Sequence, residues 1–148
     1  MSAIADVFRH FILTALDHPQ GPAVARTFNR TLQFVLTDDE PFYVQIQDGH
    51  MEVHPGDSGL DWKYKDWARV TCVHASAQLL RQVIAGRRIM SDAFFDEELA
   101  FYPSRAADRN SDITVEGSIV PWLYALVRLA LEQGQRTSYQ AYVKELGA

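Results

Sequence analysis

The stretch "FYVQIQDGHMEVHPG", Phe42 to Gly56, decides the fold. Phe42, Val44 and Ile46 alternate with Tyr43, Gln45 and Gln47; Met51 and Val53 then alternate with His50, Glu52 and His54. Between the two runs stands Asp48-Gly49, a pair suited to a two-residue hairpin because it tolerates positive φ. Pro55-Gly56 ends the second run. The pattern predicts two antiparallel strands with one apolar and one polar face.

Upstream, Leu32, Phe34 and Leu36 point one way and Thr31, Gln33 and Thr37 the other, which predicts a strand before the turn Asp38-Asp39-Glu40-Pro41. Downstream, Leu60, Trp62 and Tyr64 alternate with Asp61, Lys63 and Lys65, and Ala68–His74 reads as a further strand. Ile113–Glu116 reads as the last strand, closed by Gly117, while Leu99–Tyr102 fits strand and helix equally. A doubly wound parallel sheet would need helices between its strands, and no helical period occurs between Leu32 and His74.

Helical spacing flanks this region. Ile4, Val7, Phe8, Phe11, Ile12, Ala15 and Leu16 define one face of a helix over Ser2–Asp17, stopped by Pro19. A shorter helix is expected over Pro22–Asn29, with proline in its first turn. Ser76 caps a helix to Ala85 that buries Leu79, Leu80, Val83 and Ile84 and ends at Gly86. Ser91–Glu97 is one short turn carrying Phe94 and Phe95, and Pro103–Ser111 a polar loop. Ser118–Gln133, with Pro121 in its first turn, is apolar around most of its circumference, so it is expected to be buried on more than one side or to line a cavity. Ser138–Leu146 is an amphipathic tail.

The chain has 148 residues, 47% hydrophobic and 22% charged, which suits one domain with one core. Its net charge of −5 disfavours nonspecific nucleic-acid binding. One cysteine, Cys72, permits no disulfide within the chain and fits a reducing compartment. Asp6, Arg9 and His10 interrupt the N-terminal apolar residues, and no run of about 18 apolar residues exists. The expectation is therefore a cytoplasmic single domain, residues 1–148, with N-terminal helices over 1–30 and a helical tail over 134–148.

Candidate chemistry is sparse. His50 and His54 share a strand face but lie about 13 Å apart, too far for one metal ion. His10 and His18 are also too far apart on their helix for joint ligation. Cys72 and His74 point the same way with Cβ atoms near 7 Å apart, outside nucleophile–base contact. The acidic runs Asp38–Glu40 and Asp96–Glu98 fall in turns and read as solvated. No catalytic residue, metal site or cofactor is expected. What remains is apolar: Phe34, Leu36, Phe42, Val44, Ile46, Met51, Val53, Trp62, Val70, Leu80, Ile84, Phe94, Phe95, Trp122, Leu123 and Leu126 form the expected interior.

In order and spacing these pieces resemble the sterol carrier protein type 2 domain family over Thr31–Gln133. The resemblance rests on "QIQDGHMEVHPG", "KDWARVTCVHASAQLLRQVIAG", "DAFF", "ITVEGS" and "PWLYALVRLALEQG". Asp96–Asp112 is longer than the matching segment of that family and bears on the cavity mouth. The resemblance implies an α+β fold, a five-stranded mainly antiparallel sheet with helices packed on one face, enclosing an apolar cavity or tunnel. It implies non-catalytic binding and transfer of a fatty acyl chain, acyl-CoA, sterol or isoprenoid lipid, with the apolar residues named above as the lining. The tail would lie between the sheet and the Ser118–Gln133 helix, with the first helix and the Pro103–Ser111 loop as gates. Arg81, Arg87 and Arg88 would meet an anionic headgroup at the rim, and contact with membrane or protein would be transient. Two rival readings stay open: an interaction or accessory module with a collapsed core, for example a lipid-presenting factor in quinone biosynthesis, and a small esterase using Cys72 or one of the histidines.

Overall fold

The computed structural model describes residues 3–66, 68–102 and 115–134, with side chains from 119 onward in the last stretch. Five strands form one sheet: β1 (Arg30–Leu36), β2 (Phe42–Gln47), β3 (His50–Pro55), β4 (Val70–Ala75) and β5 (Ala100–Tyr102), in the order β3-β2-β1-β4-β5. Pairing is antiparallel except between β1 and β4, which run parallel. Five helices complete the described fold: α1 (Ala3–Asp17), α2 (Gly21–Ala25), α3 (Ala77–Ile84), α4 (Met90–Phe95) and α5 (Val115–Gly134).

The opening hairpin forms as its sequence requires. Asp48 and Gly49 have φ of 52° and 84°, the two positive values a type I′ turn needs. Asn29 Oδ1 accepts from Asp48 N at 2.8 Å and so holds the turn. Register places Phe34, Phe42, Leu32, Val44, Val53, Val73 and Phe101 on one face. There Phe34 and Phe42 stack at 4.6 Å, and Phe8 of α1 lies 5.1 and 5.5 Å from them. Phe11 meets Phe8 edge-on at 5.4 Å. α1 in turn packs against α2, α3 and α5. It takes the place beside the sheet that the sequence reading gave to the closing helix and a lipid tail.

The opposite face is covered differently. Residues 56–66 fold over it, and Gln33, read as a wet-side residue, becomes their buried anchor. Gln33 Nε2 donates to Phe42 O and Gly56 O at 3.2 and 3.1 Å, while its Oε1 accepts from Ser58 N at 2.7 Å. Trp62 lies on this face, 5.8 Å from the His74 ring and 5.4 Å from Tyr102, rather than in the sheet–helix core. Val70 is paired with Thr31 and faces the same way. β4 is thus covered on both sides, which explains its nearly unbroken burial. Below it, Arg30 donates to Thr71 Oγ1, Ala68 O and Val70 O at 2.9–3.0 Å, fixing the parallel pair.

Other departures have local causes. Residues 60–65 alternate like a strand but form turns, because Asp61 Oδ1 accepts from the backbone N–H groups of Lys63 and Tyr64 at 3.2 Å. β5 is Ala100–Tyr102, so the ambiguous stretch is strand. Val115 and Glu116, read as strand, are helical; 113 and 114 lie outside the described residues. α5 therefore starts before Ser118, and Pro121 sits inside it, leaving the Gly117 carbonyl without its helical N–H partner. α2 ends at Ala25, and Phe28 beyond it stacks on Trp122 at 4.9 Å. The readings of Ser2, Pro103–Ser111 and Ser138–Leu146 fall outside the described residues.

α3 has both expected ends. Ser76 Oγ accepts from Leu79 N at 3.0 Å, and Gly86 has φ 75°. Asp38, from the acidic turn, adds a second cap by accepting from Ala77 N at 2.6 Å. At the sheet's outer edge, Arg9 donates to Val53 O at 2.9 Å, and Pro55 ends β3 with no N–H to offer.

Candidate functional site

Most of the expected lining lies in one packed core. Phe34, Phe42, Val44, Ile46, Val53, Leu80, Ile84, Trp122, Leu123 and Leu126 are buried in it, and Leu36, Met51 and Phe94 pack partly buried against it. Phe95 departs outright: it is 80% exposed at the end of α4, while its neighbour Phe94 turns inward to Phe101 at 5.5 Å.

An apolar groove opens elsewhere, between α3, the residues joining α3 to α4, and α5. It encloses about 160 Å³. Val83, Gly86, Met90, Val120, Leu123, Val127 and Leu131 line it, with Ile89, Tyr124, Arg88 and Arg128 also on its wall. The α5 members recur at three- and four-residue intervals, so they form one stripe along the helix. Gly86 makes the close approach possible: a Cβ there would lie 2.7 Å from Leu131 Cδ1. Of the groove residues, only Leu123 and Arg88 were expected at a site. Arg128 was missed, although a cation one residue after Val127 and four after Tyr124 in an apolar helix was the available signal.

The three expected rim arginines have separate fates. Arg88 is neutralised by Asp96 at 2.7 Å and Glu98 at 3.0 Å. Arg87 is exposed and not on the groove wall. Arg81 keeps its Nε sealed from solvent without a hydrogen-bond partner, a cost of about 1–3 kcal/mol. On the groove wall, Arg128 is exposed and has no ion-pair partner among the described residues.

On the sheet's other face, Cys72 is not an activated nucleophile among the described residues. Burial pushes the Cys72 thiol up to about 12, with Asp57 adding to the effect, so the thiolate is scarce at neutral pH. His74 lies in its own aromatic box, 5.0 Å from Tyr102 and 5.8 Å from Trp62, with Nε2 buried and unpartnered. Among the described residues no group of three metal-ligating side chains converges. No described helix is long and apolar enough to cross a membrane.

Buried Cys72 and half-buried His74 give a signed pH dependence. Burial, with Lys63 second, holds the His74 imidazole below its ordinary range. Between that lowered value and about 6.5 the unfolded chain binds a proton that the folded chain does not, so stability falls as pH drops through this window. For Cys72 the unfolded thiol ionises first, from about 8.5 upward, so stability falls as pH rises toward 12. Melting temperature should therefore peak between the two windows. His74→Phe should flatten the acid arm between pH 7 and 5; an unchanged slope would assign that arm to other groups.

A five-stranded mixed sheet, its helices on one face and a groove between two of them, defines an α+β sheet-and-helix domain. Its fold is that of sterol carrier protein 2. The crystal structure of a sterol carrier protein 2 matches with a TM-score of 0.56 at 14% identity, over 89% of this chain and 96% of the other. The ubiquinone synthesis protein UbiJ-SCP2 matches with a TM-score of 0.53 at 13% identity, over 88% and 94%. The solution structure of a conserved hypothetical protein of Thermus thermophilus matches with a TM-score of 0.52 at 13% identity, over 90% and 87%. No family model matches the sequence, and no curated protein does.

Proposed function

We propose that this protein binds a lipid or similar apolar molecule without chemical change, and that the ligand enters at the α3–α5 groove. The observation that carries this reading is the groove itself: an apolar hollow open to solvent on a fold shared with a sterol carrier protein. The sheet-to-α1 layer is a poorer place for a ligand, because the rings of Phe8, Phe34 and Phe42 are in contact there.

Size sets a condition on the reading. An engineered cavity of about 150 Å³ accepts benzene, so a groove of about 160 Å³ accommodates roughly six carbons. Six methylenes yield roughly 5 kcal/mol gross, most of it consumed by association. Micromolar binding of a long chain therefore requires the α3–α5 seam to widen and bury more of it. Displacement of a fluorescent fatty acid by palmitoyl-CoA and by sterol tests this. A dissociation constant below about 50 µM is expected. No saturable binding would instead favour an interaction or accessory module, the reading supported by the filled aromatic layer and by the likeness to the ubiquinone synthesis protein. Lipid found by mass spectrometry in organic extracts of the purified protein would name the ligand.

A further inference from the structure

We infer that the α3–α5 groove prefers a compact anionic amphiphile, a carboxylate or phosphate at Arg128 joined to a ring or chain of about six carbons. The inference rests on the groove being the ligand site and narrows what that site accepts.

Volume gives the first half of the argument. The apolar part of the groove has room for a benzene-sized group and little more. Its floor is dry: Val83, Met90, Leu123 and Val127 are each at most 6% exposed. Ile89 and Tyr124, 46% and 50% exposed, stand at the solvent side, where a ligand would cover them. An alkyl or aryl group on this floor removes apolar surface from water on both partners.

Charge gives the second half. Among the described residues two guanidinium groups reach the groove, and they are not equivalent. Arg88 already holds two carboxylates. Arg128 pairs with none among the described residues. Its planar fork matches carboxylate and phosphate oxygens. Among the described residues no acidic side chain is on the groove wall. An anionic head therefore gains a charge-assisted hydrogen bond that an alcohol gains weakly and an ammonium group loses to repulsion. Because Val127 of the floor is the residue before Arg128, head and tail need be separated by only a few bonds.

The experiment is methyl chemical-shift mapping on the full chain, titrated with hexanoate, hexyl phosphate, hexanol and hexylamine. Both anions should move the Met90, Val83 and Val127 methyl signals and bind roughly fivefold more tightly than hexanol, the scale of one exposed ion pair. Arg128→Gln should remove that advantage and lower hexanol affinity by at most about twofold. Whichever anion binds more tightly identifies carboxylate or phosphate as the head. Equal binding of hexanol and the anions would overturn the inference, as would a preference surviving Arg128→Gln or anion shifts mapping outside the groove. The carrier reading fails separately: it falls if long-chain lipid does not bind, whether or not hexanoate does.

Discussion

Phe34→Ala is expected to lower the melting temperature by about 10–15 °C. The ring is fully buried, stacks on Phe42 and touches Phe8, so its removal deletes the contact that joins β1, β2 and α1. Truncating such a phenylalanine costs about 3–5 kcal/mol, part of it for the hole left behind. For a domain of this size each kcal/mol moves the midpoint by roughly 3 °C. The measurement is a thermal melt by circular dichroism, and it speaks to function as well as stability. A fall of only about 2 °C would mean that the rings do not fill the layer, and would return the lipid to the space between sheet and helices. With the large fall, the variant should also gain a dry pocket that small aromatics such as benzene stabilise, raising its midpoint again.

Val120→Trp is expected to weaken fatty-acid and hexanoate binding at least tenfold, about 1.4 kcal/mol and well within the roughly 5 kcal/mol gross of the six-carbon burial it displaces. Val120 lies on the groove wall and is only partly buried, so an indole there occupies the hollow without forcing the core apart. Its midpoint should stay within about 3 °C of the parent, since about 1 kcal/mol is the expected strain. Fluorescent-ligand titration and a melt on the same sample separate a blocked site from a damaged fold. Unchanged affinity in a well-folded variant would place the ligand away from α5.

Much of this fold is legible from local chemistry. The hairpin at Asp48-Gly49, the Ser76 cap and the Gly86 ending are each written in a few adjacent residues, and the structure realises all three. The helical and strand periods sort sheet from helices for the same reason. What escaped depends on competition or on distance. Residues 60–65 carry a strand pattern, yet Asp61 binds its own neighbours' N–H groups and wins against the sheet. Gln33 looks solvent-facing until Gly56 and Ser58 close over it, which no reading of β1 alone reveals. The groove is assembled from α3, its exit and α5, about 35 residues apart in sequence, with no shared period to announce it. Arg128 consequently looked like one more charge on an apolar helix.

The two borders of the described sheet bear on whether a foreign strand can join it. Along β3, Arg9 already occupies an outward carbonyl and Pro55 presents no donor. On the far side, β5 spans only three residues. Among the described residues neither margin offers a foreign strand a long ladder to extend, which disfavours lateral growth into ribbons or fibrils.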